Sequence, residues 1–163
     1  MTEISHERDL CLFNNFLNSD FKEYDYWWIK EIIDNPKQLR DLIGEKIYDL
    51  DWDSISKYQK LSEDFIREFK DRVDWSWISW GQKLSEGFIR EFKDKVKWGG
   101  ISAHQVLSES FIREMKDKVS WDYISANQEL SEEFIKEFKE DVFFDRIYSN
   151  SKISYETKKK IKK

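Results

Sequence analysis

Residues 51–73 read DWDSISKYQKLSEDFIREFKDRV, and the same pattern returns three more times without a gap. The further copies are DWSWISWGQKLSEGFIREFKDKV at 74–96, KWGGISAHQVLSESFIREMKDKV at 97–119 and SWDYISANQELSEEFIKEFKEDV at 120–142. A fixed short period is typical of proteins in which each unit buries its apolar face only against its neighbours. The sequence therefore predicts a stacked array of 23-residue units.

Each copy predicts two short helices. Ser62 is a natural N-cap, and Leu61 with Ile66 forms the hydrophobic staple around it. Asp74 starts the following first helix by the same rule, so almost no loop separates the repeats. We expect about 18 helical residues per repeat, and neither helix reaches the roughly 12–15 residues that an isolated helix needs in water. Stacking must supply the stability.

The flanks predict caps for this array. Residues 28–50 and 143–163 are degenerate copies, and the latter carries a basic tail. Residues 1–27 lie outside the pattern and predict an N-terminal capping helical segment. The predicted fold class is all-α: a short α-solenoid of stacked helix pairs, with four clear repeats at 51–142 between degenerate capping repeats.

Composition excludes several classes of protein. The chain has 163 residues, of which 1 is Pro, 5 are Gly and 17% are aromatic, so neither a turn-rich β fold nor a disordered chain fits. Its one cysteine, Cys11, and two separated histidines predict no disulfide framework, metal site or cofactor. The polar start MTEISHERDL and the lack of a long apolar run predict no signal peptide and no membrane span. We expect an intracellular, cytoplasmic protein.

Some positions are fixed in all four copies. The tryptophans at 52, 75, 98 and 121 and the isoleucines three residues later are most simply core. The fixed polar residues have two interpretations, either hydrogen bonds that satisfy helix ends and run from repeat to repeat, or a polar stripe that grips an extended ligand. They are Ser56, Gln59, Ser79, Gln82, Ser102, Gln105, Ser125 and Gln128.

The variable positions cluster in the first helix of each repeat. One face of a solenoid is commonly an extended binding surface, and exposed aromatic side chains are typical interface anchors. The candidate contacts, called the aromatic face below, are Tyr58, Trp77, Trp80, His104 and Tyr123. Drift after duplication and packing against the flanks are the alternative explanations.

Charge is uneven along the chain. Residues 1–50 and 51–142 each carry a net −5, whereas 143–163 carry +5. The basic tail consists of Lys158, Lys159, Lys160, Lys162 and Lys163. It predicts either a soluble helix cap or a patch for nucleic acid or a membrane surface. The recurrent Arg-Glu-Phe-Lys-Asp motif is typical of a solvated helix face, and nothing in it separates two pKa values as acid–base catalysis requires.

The pattern W-x-x-I-S-x-x-Q-x-L-S-E-x-F-I, followed by Phe and Val, resembles tandem repeats of uncharacterised proteins from large DNA viruses and some phages. The resemblance covers 51–142 closely and the flanks loosely, with departures at Lys97 and Met115. It implies a helical repeat protein of viral type with no established chemistry. We therefore expect a non-enzymatic scaffold for protein–protein interaction that engages a host factor, in the host cytoplasm. The alternative is nucleic-acid or membrane-surface association through the basic tail. The sequence names no partner and no oligomeric state.

Overall fold

The computed structural model describes residues 51–161. These residues form helices and turns, with no strand among them. The predicted capping segment 1–27, the degenerate repeat 28–50 and the residues Lys162 and Lys163 lie outside this range. The chain divides into two compact units, Met1–Asp74 and Trp75–Lys163, and each is described by itself.

Every repeat contributes one helix pair. In the first unit the pair is α1 (Trp52–Tyr58) and α2 (Glu63–Glu68). The second unit contains α3 (Trp75–Gly81), α4 (Glu86–Glu91), α5 (Trp98–His104), α6 (Glu109–Glu114), α7 (Trp121–Asn127), α8 (Glu132–Glu137), α9 (Phe144–Ser149) and α10 (Tyr155–Ile161). Odd numbers are therefore the first helices of the repeats and even numbers the second.

The second helices start where the sequence predicts. Ser62 is extended and its hydroxyl oxygen accepts a hydrogen bond from Phe65 N at 3.1 Å. The equivalent serines make the same bond at the same distance in the next three repeats; they are Ser85, Ser108 and Ser131. The predicted N-caps are confirmed.

The helices are shorter than the sequence suggests. Each of the four clear repeats has a seven-residue first helix and a six-residue second helix, where we expected about 18 helical residues. In the first unit α2 ends at Glu68, and the carbonyl of its C-cap Phe69 accepts hydrogen bonds from Arg72 N at 2.8 Å and Val73 N at 3.1 Å. This turn replaces the last helical turn that the spacing predicts, and it still buries Val73.

In the second unit the helix pairs stack in chain order. Each first helix packs on the next, α3 on α5, α5 on α7 and α7 on α9, and α8 packs on α10. Ile78, Phe88 and Ile89 are fully buried, as are their equivalents one and two repeats further on. The all-α solenoid of stacked helix pairs is confirmed for this unit.

The fixed tryptophans cover the core and do not fill it. They are half-buried, whereas the fixed isoleucines are buried. The Trp75 ring lies 5.0 Å from the Phe92 ring of the same repeat. The Trp98 indole N–H donates to the carbonyl of Lys93 at 2.9 Å. The expectation of fully buried tryptophans is therefore wrong. An indole whose N–H donates to the carbonyl of a turn stays at the edge of the apolar core.

Candidate interaction surface

The fixed serines tie each first helix to the next repeat. Ser79 is fully buried, donates to the carbonyl of Trp75 at 2.6 Å and accepts from Lys97 N at 2.8 Å. Ser125 makes the equivalent bonds to Trp121 and Phe143. In the first unit Ser56 accepts from Asp74 N at 2.9 Å, and in the second Ser102 accepts from Ser120 N at the same distance. A hydroxyl serves here because it donates and accepts at once.

The fixed glutamines form an amide ladder in the second unit. The Gln105 amide nitrogen donates to the carbonyls of Gln82 at 2.8 Å and Ser79 at 3.3 Å, and its oxygen accepts from Leu84 N at 3.0 Å. Gln128 repeats all three bonds one step further on, to Gln105, Ser102 and Leu107. Gln82, Gln105 and Gln128 are buried, and Gln59 in the first unit is half-buried. In the second unit Gln105 and Gln128 therefore follow the first interpretation, in which hydrogen bonds run from repeat to repeat.

Asn150 completes the ladder at a position the sequence comparison missed. Its amide nitrogen donates to the carbonyls of Gln128 at 2.8 Å and Ser125 at 2.9 Å. A one-to-one alignment of the repeats puts Ser151 at the glutamine position, one residue later. α9 is one residue shorter than α7, so its C-cap falls on Asn150. The sequence did contain a signal: an amide side chain, Asn150, stands directly before the serine at the expected position.

The basic tail is partly engaged in the structure. Lys158 Nζ donates to the carbonyl of Asn150 at 2.6 Å, where an interior repeat receives the next glutamine amide. Lys160 Nζ lies 3.2 Å from a Glu132 carboxylate oxygen. Hydrogen bonds from Lys136 and then Lys160 hold the pKa of Glu132 below its usual range. Lys159 is exposed, and Lys162 and Lys163 lie outside the described residues.

The second helices present a charged face linked across repeats. Arg90 Nε lies 2.8 Å from one Glu114 oxygen and 3.0 Å from the other, and its guanidinium lies 4.8 Å from the Phe111 ring centre. Glu86 accepts from Ser108 N of the next repeat at 2.7 Å. Arg113 and Glu109 repeat these roles one step on. The expected solvated face is largely exposed, yet Arg90 and Arg113 are already paired with glutamates of the next repeat.

The aromatic face lies largely open. Tyr58 in the first unit is 67% exposed, and Trp80 and Tyr123 in the second are 57% and 45% exposed. His104 is exposed and Trp77 is half-buried. Each of the five predicted residues is therefore accessible to some degree.

Three of these side chains form one cluster. The Trp77 and Trp80 rings meet edge to face with centres 6.3 Å apart. The Trp80 ring also lies 4.6 Å from the His104 ring, which α5 carries. Tyr123 on α7 leans back toward α5, because a Cβ on Gly99 would lie 3.7 Å from its ring. The structure thus links α3 to α5 through one aromatic cluster and brings Tyr123 against α5 from the other side.

The helices under this cluster carry almost no charge. α3 reads WSWISWG and α5 reads WGGISAH, with no acidic residue in the first turn of either. The one carboxylate on α7, Asp122, accepts from Arg146 Nε at 2.8 Å, and this bond raises the pKa of Arg146. Aromatic rings and small side chains dominate this surface, in contrast to the charged second helices.

Sequence reasoning missed one accessible region. An open groove of about 570 Å³ follows the turns after α5 and α7 and ends at Lys152. Val106, which stands where the first two repeats have lysine, lines it and is 87% exposed. The signal was a valine at a position that is otherwise charged in every copy.

The described residues offer no arrangement for metal chemistry. Within 51–161 no three His, Cys, Asp or Glu side chains come together in a way that could hold an ion. In the same range no helix combines the length and the apolar character that crossing a bilayer demands. Comparison with protein-family profiles, curated proteins and solved structures finds no match to this chain.

Proposed function

We propose that this protein is a non-enzymatic repeat scaffold that binds a protein partner through its aromatic face. The observation that carries the proposal is the cluster of Trp77, Trp80 and His104, whose rings are joined to each other and are open to solvent. Large rings are costly to leave in water and are the usual anchors of interfaces. The fixed Ser and Gln side chains of the second unit support the proposal indirectly, since their hydrogen bonds are committed within the array.

The resemblance to repeats of large DNA viruses and phages extends the proposal. A viral repeat scaffold would engage a host factor, and the host cytoplasm would be its compartment. The lone Cys11 is compatible with a reducing compartment. The alternative, binding of nucleic acid or a membrane surface through the basic tail, has less support, because Lys158 already bonds to the carbonyl of Asn150 and Lys160 to the carboxylate of Glu132.

The experiment that tests the proposal compares capture of partners from cell lysate by three full-length proteins. The wild type is compared with Trp77→Ala/Trp80→Ala and with Tyr155→Ala. Tyr155 is a matched control, since it is an aromatic residue 75% exposed outside the aromatic face. We expect a protein that is retained by the wild type and the control and is lost with the double variant. Circular dichroism checks that each variant folds.

A fourth protein separates the two functions. Lys159→Ser/Lys162→Ser/Lys163→Ser removes three charges of the basic tail and leaves the bonds of Lys158 and Lys160 in place. If nucleic acid or vesicles are recovered by the wild type and lost only with this variant, the scaffold proposal is wrong. Such binding would also weaken steeply with salt, because counterion release governs it.

A further inference from the structure

We propose that the part of the aromatic face in the second unit, Trp77, Trp80, His104 and Tyr123, binds an uncharged, proline-rich segment in the polyproline II conformation. The inference rests on the proposed function and names the partner's chemistry. Three features of this surface support it: the lack of charge, the unused hydrogen-bond donors and the spacing of the aromatic rings.

The surface around the aromatic side chains is nearly uncharged, and this restricts the partners that it can bind. α3 and α5 carry no acidic residue, and Asp122 on α7 is already paired with Arg146. A strongly acidic or basic partner would therefore lose hydration here without gaining a counter-charge. The surface fits a segment that is itself neutral.

Unused donors select among the neutral partners. Hydrogen bonds within residues 51–161 do not engage the Trp80 indole N–H, the His104 ring or the Tyr123 hydroxyl. An apolar helix face laid on them would bury these groups unpaired, because helix carbonyls are already bonded. A polyproline II segment leaves its carbonyls free, and so it can accept from them while its proline rings pack on the aromatic rings.

A carbohydrate fits the donor pattern less well. Sugar hydroxyl groups donate as well as accept, and tight recognition needs acceptors on the protein. Asp122 accepts from Arg146.

Spacing is the third observation. Trp80, His104 and Tyr123 lie on three successive first helices, which pack on each other. Packed helices are about 8–10 Å apart, and one turn of polyproline II, three residues, rises about 9 Å. The Trp80 and His104 rings, whose centres are 4.6 Å apart, would pack on one turn of the segment, and Tyr123 would meet the next turn. The site would span about six residues, since one turn over the Trp80–His104 pair and one turn over Tyr123 make two turns.

The experiment is a titration of the isotope-labelled full-length protein with a blocked nonaproline peptide, followed by NMR. We expect saturable shifts of the Trp80 indole and Tyr123 signals, and none with a blocked Gly/Ser peptide of equal length. Trp80→Phe keeps a ring and removes the indole donor, so it should weaken binding about fivefold, the value of one neutral hydrogen bond. Trp80→Ala should weaken it more than tenfold, as expected for an anchor side chain. Tyr155→Ala should leave the affinity unchanged.

Each other outcome overturns the inference. The absence of saturable shifts would do so, as would equal binding by the wild type and Trp80→Ala. Tighter binding of a neutral amphipathic helix or of cellohexaose would assign the surface to another class of partner. If nonaproline fails while a captured protein still requires Trp77 and Trp80, the scaffold function stands and only the partner's chemistry is wrong. Trp80 is 57% exposed, so these variants should fold, and thermal melting checks this.

Discussion

Replacing Gln105 by methionine should destabilise the second unit by about 3 kcal/mol. The side chain is 5% exposed and bonds three backbone groups of the preceding repeat. Methionine has a similar length and fills the space without polar atoms, so the three groups lose their partner. A buried group left unpaired costs about 1–3 kcal/mol. The bond to Ser79 is the longest at 3.3 Å, which favours the lower end of this range.

Two further variants sharpen the prediction. Val106→Met puts the same side chain one residue further on, at a position 87% exposed, and should change stability by less than about 0.5 kcal/mol. Gln105→Asn keeps the amide but withdraws it by one methylene. Asn150 reaches its carbonyls only from a six-residue helix, whereas α5 has seven residues. We therefore expect Gln105→Asn to be destabilising as well.

The assay is urea unfolding followed by tryptophan fluorescence and by circular dichroism. Gln105→Met could lower the free energy of unfolding by less than about 1 kcal/mol while the dependence of that free energy on urea concentration stays the same. The ladder is then not a main source of cohesion between repeats. The same conclusion follows if Val106→Met costs as much as Gln105→Met.

Other predictions concern helix starts and charge. Gly99→Ala should raise the free energy of unfolding by about 0.4–1 kcal/mol, since the added Cβ would make only ordinary van der Waals contact. Gly100→Ala should bring no gain, because its Cβ would lie 3.2 Å from the Ser79 backbone. The midpoints of urea unfolding would show the difference. Hydrogen exchange should find α5 less protected than α3, because it has two glycines and no side-chain cap, and equal protection would count against this. Lys160→Met should raise the pKa of Glu132 toward its ordinary value, as NMR titration would reveal. Because the pKa of Glu132 is depressed in the folded protein, its ionised form stabilises the fold at pH values above the pKa of the unfolded chain. This stabilisation is lost as the pH falls through the pKa of the folded protein.

Local features of the fold were predictable from the sequence. The period located every helix pair in 51–142, and Ser-Glu-x-Phe located the starts of the second helices, because capping depends on neighbours within four residues. Helix length was less predictable. The apolar spacing of Phe65, Phe69 and Val73 is the same whether the last turn is helical or the wider turn that the structure adopts.

Contacts between repeats were the harder part. Comparing copies reveals that a glutamine is fixed but not which carbonyls it meets, because those carbonyls belong to the backbone and leave no trace in side-chain identity. Glu86 and Arg90 are four residues apart on α4, and a Glu86 carboxylate oxygen lies 3.7 Å from the nearest Arg90 guanidinium nitrogen. Their bonds to Ser108 and Glu114 of the next repeat depend on how helices stack. The positions of the aromatic face were predictable as variable sites, whereas the joining of Trp80 to His104 was not.

The amide ladder also bears on how such a chain can change in length. Each glutamine rung joins its side chain to carbonyls 23 and 26 residues earlier, so the glutamine rungs are interchangeable. Removing or duplicating a whole 23-residue copy inside 74–142 would bring identical partners into register at the new junction. A gain or loss of another size would misplace the amide of the rung that spans the new junction, unless the helix length changes with it, as it does in α9. Recombination between copies can therefore lengthen or shorten the array by whole repeats and carry different aromatic residues along its surface, while the hydrogen bonds that hold it together stay the same.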